Sequence, residues 1–287
     1  KYKNTSVTQI KNKEMNKDDK VIQEFGEEWI DFNYSEMDKG KVFENYEQYF
    51  GIFPWELVSG TSVGFDMGCG SGRWAQFVAP KVQHLFCVEP SEAIEVAKQN
   101  LKQFDNVTFL RETTDTCSLE EGSQDFGYSL GVLHHIPDTE AALNDCSKLL
   151  KKGAPLLLYL YYSFENKPLW FRGIWRLSDL LRRVTSKLPK QLKKFVCNLI
   201  ACGIYFPLSR SAYLLEKIGF DVSNIPLADY RLKPFYQCRN DALDRFGTRL
   251  EQRFSKLQIT EMLDRAGFDD ITFSPDTPFW CCVAIKR

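Results

Sequence analysis

Between residues 60 and 163, short apolar runs alternate with stretches in which apolar residues recur every three or four positions. Period two or continuous apolarity predicts strands, and the longer period predicts helices. A strand is expected to run into Phe65-Asp66-Met67, with a helix over about 73–79 after it. A second strand follows over 84–89, and a helix that starts at Pro90 reaches about 104. Strands over 107–111 and 125–130 come next, then a helix over 138–151 and a fifth strand over 155–162. Pro and an acid in a first turn, at Pro90 and Glu92, and Gly just past an end, at Gly153, are the ordinary marks of helix start and stop. Strands that alternate with helices of this length build a parallel, doubly wound sheet, which takes its ligands at the carboxyl ends of the strands.

The flanks behave differently. Residues 1–20 are rich in Lys and Asn and read as a frayed arm. Residues 21–34 carry Trp29, Phe32 and Tyr34, read either as a helix packed on the core or as an aromatic lid over a ligand. Helical patterns follow near 39–50 and 54–58. After the fifth strand the alternation stops, and 164–251 is helical and aromatic with no convincing strand. Leu169, Trp170, Phe171, Ile174, Leu177, Leu181 and Val184 fall at helical spacing, as do Leu192, Phe195, Val196, Leu199 and Ile200. The segment 230–245 matches neither period and reads as a substrate loop or a connector. A helix over 254–266, ended by Gly267, precedes strands over 270–273 and 279–285, which fit an antiparallel pair at the sheet edge. The expected fold is therefore α/β, a seven-stranded, mostly parallel, doubly wound sheet with a helical cap inserted after strand five. The expected organisation is an N-terminal arm and lid helices over 1–58, a core over 59–163, a basic helical insertion over 164–250, and a closing segment over 251–287.

Composition changes this picture little. The 287 residues carry a net charge of −1, so overall charge argues for neither a nucleic-acid nor a membrane partner. Nine cysteines without a Cys-x-x-Cys pair suit buried, reduced thiols and a cytoplasmic location. Three histidines make a His-rich metal site an unexpected feature, and no metal is expected. The longest purely apolar run, 156–162, is far shorter than the ~20 residues of a membrane span. Local charge is uneven: residues 167–210 hold ten Lys and Arg against Asp179 alone.

The chemistry concentrates in Phe65-Asp66-Met67-Gly68-Cys69-Gly70-Ser71-Gly72-Arg73-Trp74. Glycines at alternate positions allow close backbone approach or positive φ, and the helix that opens there offers free N–H groups to a polar or anionic ligand. Glu89, at the tip of the next strand, supplies the carboxylate that a ribose needs. The spacing Gly68-x-Gly70-x-Gly72 departs from the G-x-G-x-x-G of nicotinamide dehydrogenases. With Glu89, the segment Gln124–Ile136 that contains Gly131-Val132-Leu133-His134-His135, and Leu149-Leu150-Lys151-Lys152-Gly153, the chain resembles the class I S-adenosylmethionine-dependent methyltransferases. The likeness is to the small-molecule branch that includes the ubiquinone-biosynthesis O-methyltransferases. It covers about 60–163 strongly and 250–287 in outline.

The resemblance implies S-adenosyl-L-methionine as cofactor and S-adenosyl-L-homocysteine as product. It implies that Gly68, Cys69, Gly70, Gly72 and Arg73 form the loop around the methionine end, with Asp66 bracing it, and that Glu89 and Pro90 meet the ribose. Leu130 and Gly131 would present backbone to the sulfonium; on the lid reading of the N-terminal aromatics, though not from the resemblance, Trp29 would close over the site. The adenine zone reads Glu112-Thr113-Thr114-Asp115, a departure from the family pattern in which threonine near 113–114 replaces the usual acid and Asp115 is displaced; Thr114 and Asp115 are the candidate contacts. The expected activity is methyl transfer to an O or N atom of a small-molecule acceptor, and a catalytically silent binding protein is the alternative. His134 and His135 are the candidate bases, since imidazole titrates near neutrality. Tyr34, Tyr161, Tyr162, Arg231, Tyr236 and Arg239 are the candidate acceptor contacts. For the basic insertion three readings stand: a site for an anionic acceptor such as a phosphate-linked sugar, weak contact with an anionic membrane surface for a lipid or quinone acceptor, or a solvated face. Nucleic acid is not expected, because no nucleic-acid-binding module accompanies the charge. The oligomeric state is left open.

Overall fold

The computed structural model describes residues 15–31 and 39–287, without the side chains of residues 28–31, 39 and 41. Seven strands form one sheet in the order β3-β2-β1-β4-β5-β7-β6. The strands are β1 (Val63–Met67), β2 (His84–Val88), β3 (Val107–Leu110), β4 (Phe126–Leu130), β5 (Pro155–Tyr159), β6 (Phe268–Phe273) and β7 (Cys281–Lys286). The first five pair in parallel, and β7 lies antiparallel between β5 and β6. The strand order reverses between β1 and β4, which opens a crevice at their carboxyl ends.

Helices cover both faces because the parallel strands are apolar on both. On one face, α5 (Thr139–Leu149) and α10 (Lys256–Arg265) bury Leu143, Cys146, Ile259 and Leu263 against Phe65, Leu156 and Leu158. On the other, α2 (Lys39–Phe50), α3 (Ala75–Val78) and α4 (Ala93–Asn100) bury Tyr46, Phe50, Val78, Ala97 and Leu101 against Leu85, Phe126 and Tyr128. An N-terminal helix, α1 (Asp19–Asp31), crosses α4 where Gly26 meets Ser91: a Cβ on Gly26 would lie 3.1 Å from the serine's. At the centre, two glycines and two phenylalanines interlock. A Cβ on Gly64 of β1 would run into the Phe126 ring, and one on Gly127 of β4 into the Phe65 ring. Each strand gives up a side chain so that its neighbour's ring can lie flat on the sheet.

The insertion folds into four helices: α6 (Leu169–Thr185), α7 (Lys190–Ile200), α8 (Phe206–Lys217) and α9 (Phe235–Gly247). A π-turn at Ala201–Tyr205 joins α7 and α8 into one helix over Lys190–Lys217. That helix is long and apolar enough to cross a membrane by length and composition, although no uninterrupted apolar run in the sequence points to it. Lys193, Lys194, Asn198 and Ser209 break up the run. A third of its apolar window is buried, through Cys197, Ile200, Ala201 and Tyr205 against Cys238, Ala242 and Phe246 of α9. The segment 230–245, which matches no period in the sequence, is largely α9, a regular helix.

Because the Gly–Phe interlock leaves no room for a methyl group, Gly127→Val should cost about 2–3 kcal/mol and lower Tm by roughly 5–10 °C in calorimetry. Gly60→Ala, where a Cβ would meet nothing within 4 Å, should leave Tm unchanged.

Candidate active site

Gly68, Gly70 and Gly72 all take positive φ, at 79°, 52° and 74°. The loop they form turns back on β2: the Gly68 and Cys69 amides donate to the Val88 carbonyl at 2.8 and 3.1 Å. The Gly70 amide donates to Glu89 Oε2 at 3.1 Å, and the Ser91 amide to Oε1 at 3.0 Å. Glu89 is thereby fixed with one lone pair of each oxygen used and the other pair left over. Gly72 has a different job. A Cβ there would lie 2.7 Å from Leu101, so this glycine lets the loop pack on α4, and it does not line the crevice.

A cavity of about 1270 Å³ runs from this loop to the cap. Of the expected cofactor contacts, Gly68, Cys69, Arg73, Glu89, Pro90, Thr114, Leu130 and Gly131 line it. Asp66 sits beneath the loop, 1% exposed, with Oδ2 unpartnered among the described residues. Burial pushes its carboxyl up to about 8, the nearby Glu89 adds to this, and Tyr128 and Arg73 oppose it. Thr114 is buried at the cavity wall with its hydroxyl unpartnered among the described residues. Asp115 turns away from the cavity. Its carboxylate accepts from the Thr113 hydroxyl at 2.6 Å and from the Asn16 amide at 2.9 Å. The Asn16 side chain in turn bonds the backbone of Asp138 in both directions, so a short strap ties the β3 and β4 ends together. Nothing in the sequence pattern signals this strap. Tyr34 and the Trp29 side chain lie outside the described residues.

The two candidate histidines part company. A 3₁₀ turn at Leu133–His135 sends adjacent side chains in different directions. His134 is fully buried and does not line the cavity. Its ring lies 3.8 Å from that of Tyr161, and burial holds its pKa well below 6.5, so it stays a neutral packing plate. His135 lines the cavity, with Nδ1 2.7 Å from the Leu250 carbonyl. A carbonyl only accepts, so Nδ1 carries the proton and Nε2 keeps its lone pair.

The wall of the cavity facing the glycine loop is built from the end of β5 and from α9. Tyr159, Tyr161 and Tyr162 all line the cavity, and the Tyr161 hydroxyl donates to Asp244 Oδ2 at 2.7 Å. From α9 the lining residues are Gln237, Asn240, Asp241, Asp244 and Arg245, which share one helical face, and Phe246 near the helix end. Tyr236 and Arg239, expected to contact the acceptor, lie on the other side of that helix and do not line the cavity. Arg231 does line it, but its guanidinium is held by Glu216 at 2.7 Å. Behind this face lies a buried ion network. Glu251, its side chain 1% exposed, accepts from Arg245 at 3.0 Å and Arg253 at 2.8 Å, and Asp179 accepts from Arg182 at 2.9 Å. Arg253 spreads beneath Tyr161, Phe164 and Trp175, 4.8–5.4 Å from their ring centres. Of the ten basic residues between 167 and 210, only Lys167 lines the cavity. Among the described residues no His, Cys, Asp and Glu cluster is placed to hold a metal ion.

Comparison with known proteins agrees with this geometry. Residues 65–158 match the family model described as a methyltransferase domain. An uncharacterised methyltransferase of Mycobacterium tuberculosis is 27% identical over 130 residues, 45% of this chain and 66% of that protein. The ubiquinone biosynthesis O-methyltransferase of Escherichia coli is 26% identical over 136 residues, 46% of this chain and 55% of that protein. The chain thus spans less than two thirds of the length of these curated relatives. Among solved structures, the methyltransferase bound to the Haloferax volcanii Trm112 activator aligns with a TM-score of 0.51 at 14% identity. That alignment covers 92% of this chain and 98% of that one, and it is a likeness of fold. The matched residues are those that build the glycine loop, Glu89 and the β4 end, so this chain carries a class I S-adenosylmethionine-dependent methyltransferase domain.

Proposed function

We propose that this protein transfers a methyl group from S-adenosylmethionine to a hydroxyl of an acceptor with a polar head and an extended apolar body. The observation that carries this reading is a single cavity, in which a glycine loop with a fixed carboxylate faces an unencumbered imidazole nitrogen and then an apolar cap wall. The residues present fit the cofactor. Glu89 keeps one free lone pair on each oxygen for two ribose hydroxyls, and the unpartnered Thr114 hydroxyl offers a polar contact at the expected adenine end. Asp66 braces the loop from below, in line with its burial.

When bound, the cofactor would supply a sulfonium methyl group for in-line attack, the new bond to the methyl carbon forming as the bond to sulfur breaks and S-adenosylhomocysteine leaves. The chain's part is to position, desolvate and deprotonate. His135 Nε2 takes the acceptor's hydroxyl proton as the oxygen attacks, and the Leu250 carbonyl stabilises the charged ring through Nδ1–H. Tyr161, held by Asp244, orients the acceptor's polar head. Leu177, Leu181 and Val184 of α6, with Ile204 and Leu208, suit an apolar body. A strongly anionic acceptor fits less well, because nine of the ten basic side chains between 167 and 210 do not line the cavity, and the insertion's other lining cations, Arg231, Lys233 and Arg245, stand among Asp229, Asp241 and Asp244.

Titration calorimetry with S-adenosylhomocysteine tests the donor half: native protein should bind, and Glu89→Ala should weaken binding by roughly 100-fold through two lost charge-assisted hydrogen bonds. Folded native protein that does not bind would refute the reading. For any hydroxyl acceptor that the native protein methylates, His135→Gln should lower kcat by about 10²–10⁴ while S-adenosylhomocysteine affinity stays close to native. Equal loss of both would make His135 a structural residue. Asp66 gives a sign that can be checked in the ligand-free protein. Its folded pKa of about 8 exceeds the ordinary 3.8, so the folded state binds the extra proton between those values. Stability to urea should therefore fall as pH rises from 5 to 8, by at most about 1.4 kcal/mol per pH unit, and Asp66→Asn should flatten that slope.

A further inference from the structure

Helix α6 is amphipathic, but it is packed with its polar side inward. Its buried residues are Asp179, Arg182 and Thr185. Phe171 and Trp175 pack inward on Phe164, but the other apolar residues face out: Leu169 is 80% exposed, Leu177 69%, Leu180 60% and Val184 60%, with Trp170 and Ile174 each at 52%. A helical face of this kind normally forms a core. Here charges hold the helix from behind, and the apolar side is left to solvent. On the neighbouring helix α7, Leu192, Phe195 and Leu199 at i, i+3 and i+7 are also about half exposed.

The flank of α6 is basic. Arg172, Arg176 and Arg183 stand at i, i+4 and i+11, one row along the edge of the apolar face, and the exposed Lys187 follows just past the helix. Nearby cations are already engaged inside the fold: Lys190 pairs with Glu27 at 2.6 Å, Lys193 with Glu24 at 2.6 Å, and Arg182 and Arg183 both with Asp179. An apolar stripe bearing an exposed Trp beside a row of arginines matches the two layers of an anionic bilayer surface, acyl chains and headgroup phosphates. The same stripe is continuous with the cavity: Ile174, Leu177, Leu181 and Val184 are both exposed and part of its lining.

We propose that α6 docks flat on an anionic membrane surface, so that the cavity opens against the bilayer and draws its acceptor from it. The entry route rests on the methyltransferase reading above; the docking does not. The apolar face sinks to the acyl boundary, and Arg172, Arg176 and Lys187 meet phosphates. An amphiphilic acceptor then slides along Leu177, Leu181 and Val184 until its polar head reaches Tyr161 and His135. This explains why the cap exposes a face that costs solubility and why nine of the ten basic residues between 167 and 210 lie outside the cavity lining.

The test is flotation of the full chain with vesicles of phosphatidylcholine alone or of phosphatidylcholine and phosphatidylglycerol at about 7:3, with S-adenosylhomocysteine calorimetry on the same samples. Native protein should float with the anionic vesicles and not with the neutral ones, since each basic residue near the surface adds to binding. Leu169→Asp with Trp170→Asp, at positions outside the cavity lining, should reduce flotation by about tenfold or more and leave S-adenosylhomocysteine affinity unchanged. Arg172→Glu with Arg176→Glu should reduce it by roughly 30-fold or more. The proposal is overturned if native protein stays with the soluble fraction or floats equally with neutral vesicles. It is also overturned if these variants float like the native chain, or convert a native dimer to monomer without changing flotation. Flotation without S-adenosylhomocysteine binding would sink the methyltransferase reading and leave the docking intact; binding without flotation would do the reverse.

Discussion

The cap depends on a charge network buried at its centre. Asp179 gathers Arg182, Arg183 and, at 3.7 Å, Arg245; Glu251 gathers Arg245 and Arg253. Taking such groups out of water is expensive, and the cost is offset only where every charge finds an opposite and the remaining donors find acceptors. Arg182 meets this condition by also donating to the Thr248 and Arg249 carbonyls. The network therefore fixes three segments at once: α6 through Asp179 and Arg182, α9 through Arg245, and the 248–254 strand of chain through Glu251 and Arg253. The Leu250 carbonyl that sets the His135 tautomer lies in that last segment, between two backbone positions the network holds. Geometry at the candidate base is thus a consequence of ion pairing on the far side of the cavity.

The same network decides which way α6 faces. A helix can bury only one side, and burying Asp179 and Arg182 leaves the apolar side outside. Periodicity in the sequence identifies α6 and α7 as amphipathic, but periodicity has no sign. It marks two faces without saying which one the fold keeps. The usual assumption, apolar inward, fails here because Asp179 finds cations from two helices, a three-dimensional coincidence that no local window contains. Segment 230–245 was opaque for a related reason. One inward face, Gln237, Asn240, Asp241, Asp244 and Arg245, is polar because it borders a cavity, and the packed face, Cys238, Ala242 and Phe246, carries one large apolar side chain, so the hydrophobic pattern of a packed helix is weak.

The donor half was far more legible. Gly68 and Gly70 are required by local backbone conformation, and Glu89 by its place one residue past a strand, so their signals are contained within a few positions of chain. Even there the residues divide on contact. Gly72 serves the packing of α4 rather than the crevice, and Asp115 is consumed by Thr113 and Asn16. In His134-His135 the sequence presents two equivalent imidazoles, and a single 3₁₀ turn makes one a buried plate and the other a cavity residue. Residue type and spacing identify a chemical neighbourhood; the turn chooses which member faces it.

These two halves differ in what holds them. The glycine loop is anchored by backbone hydrogen bonds to the sheet, through Val88 and Glu89, and inherits the rigidity of seven paired strands. The cap is anchored by ion pairs and by a small core around Cys197, Tyr205 and Phe246. A core of that size stabilises less than the sheet does, so opening at lower free energy is expected in the cap. The acceptor proposed above, with its long apolar body, would need such a division. The donor site must keep its geometry through every turnover, while the wall opposite must yield to admit a bulky body and close again around it. Exposed leucines along α6 would be a liability on a rigid surface. On a wall that has to part along that line they become the contact that the acceptor, or the bilayer it leaves, takes up in exchange for water.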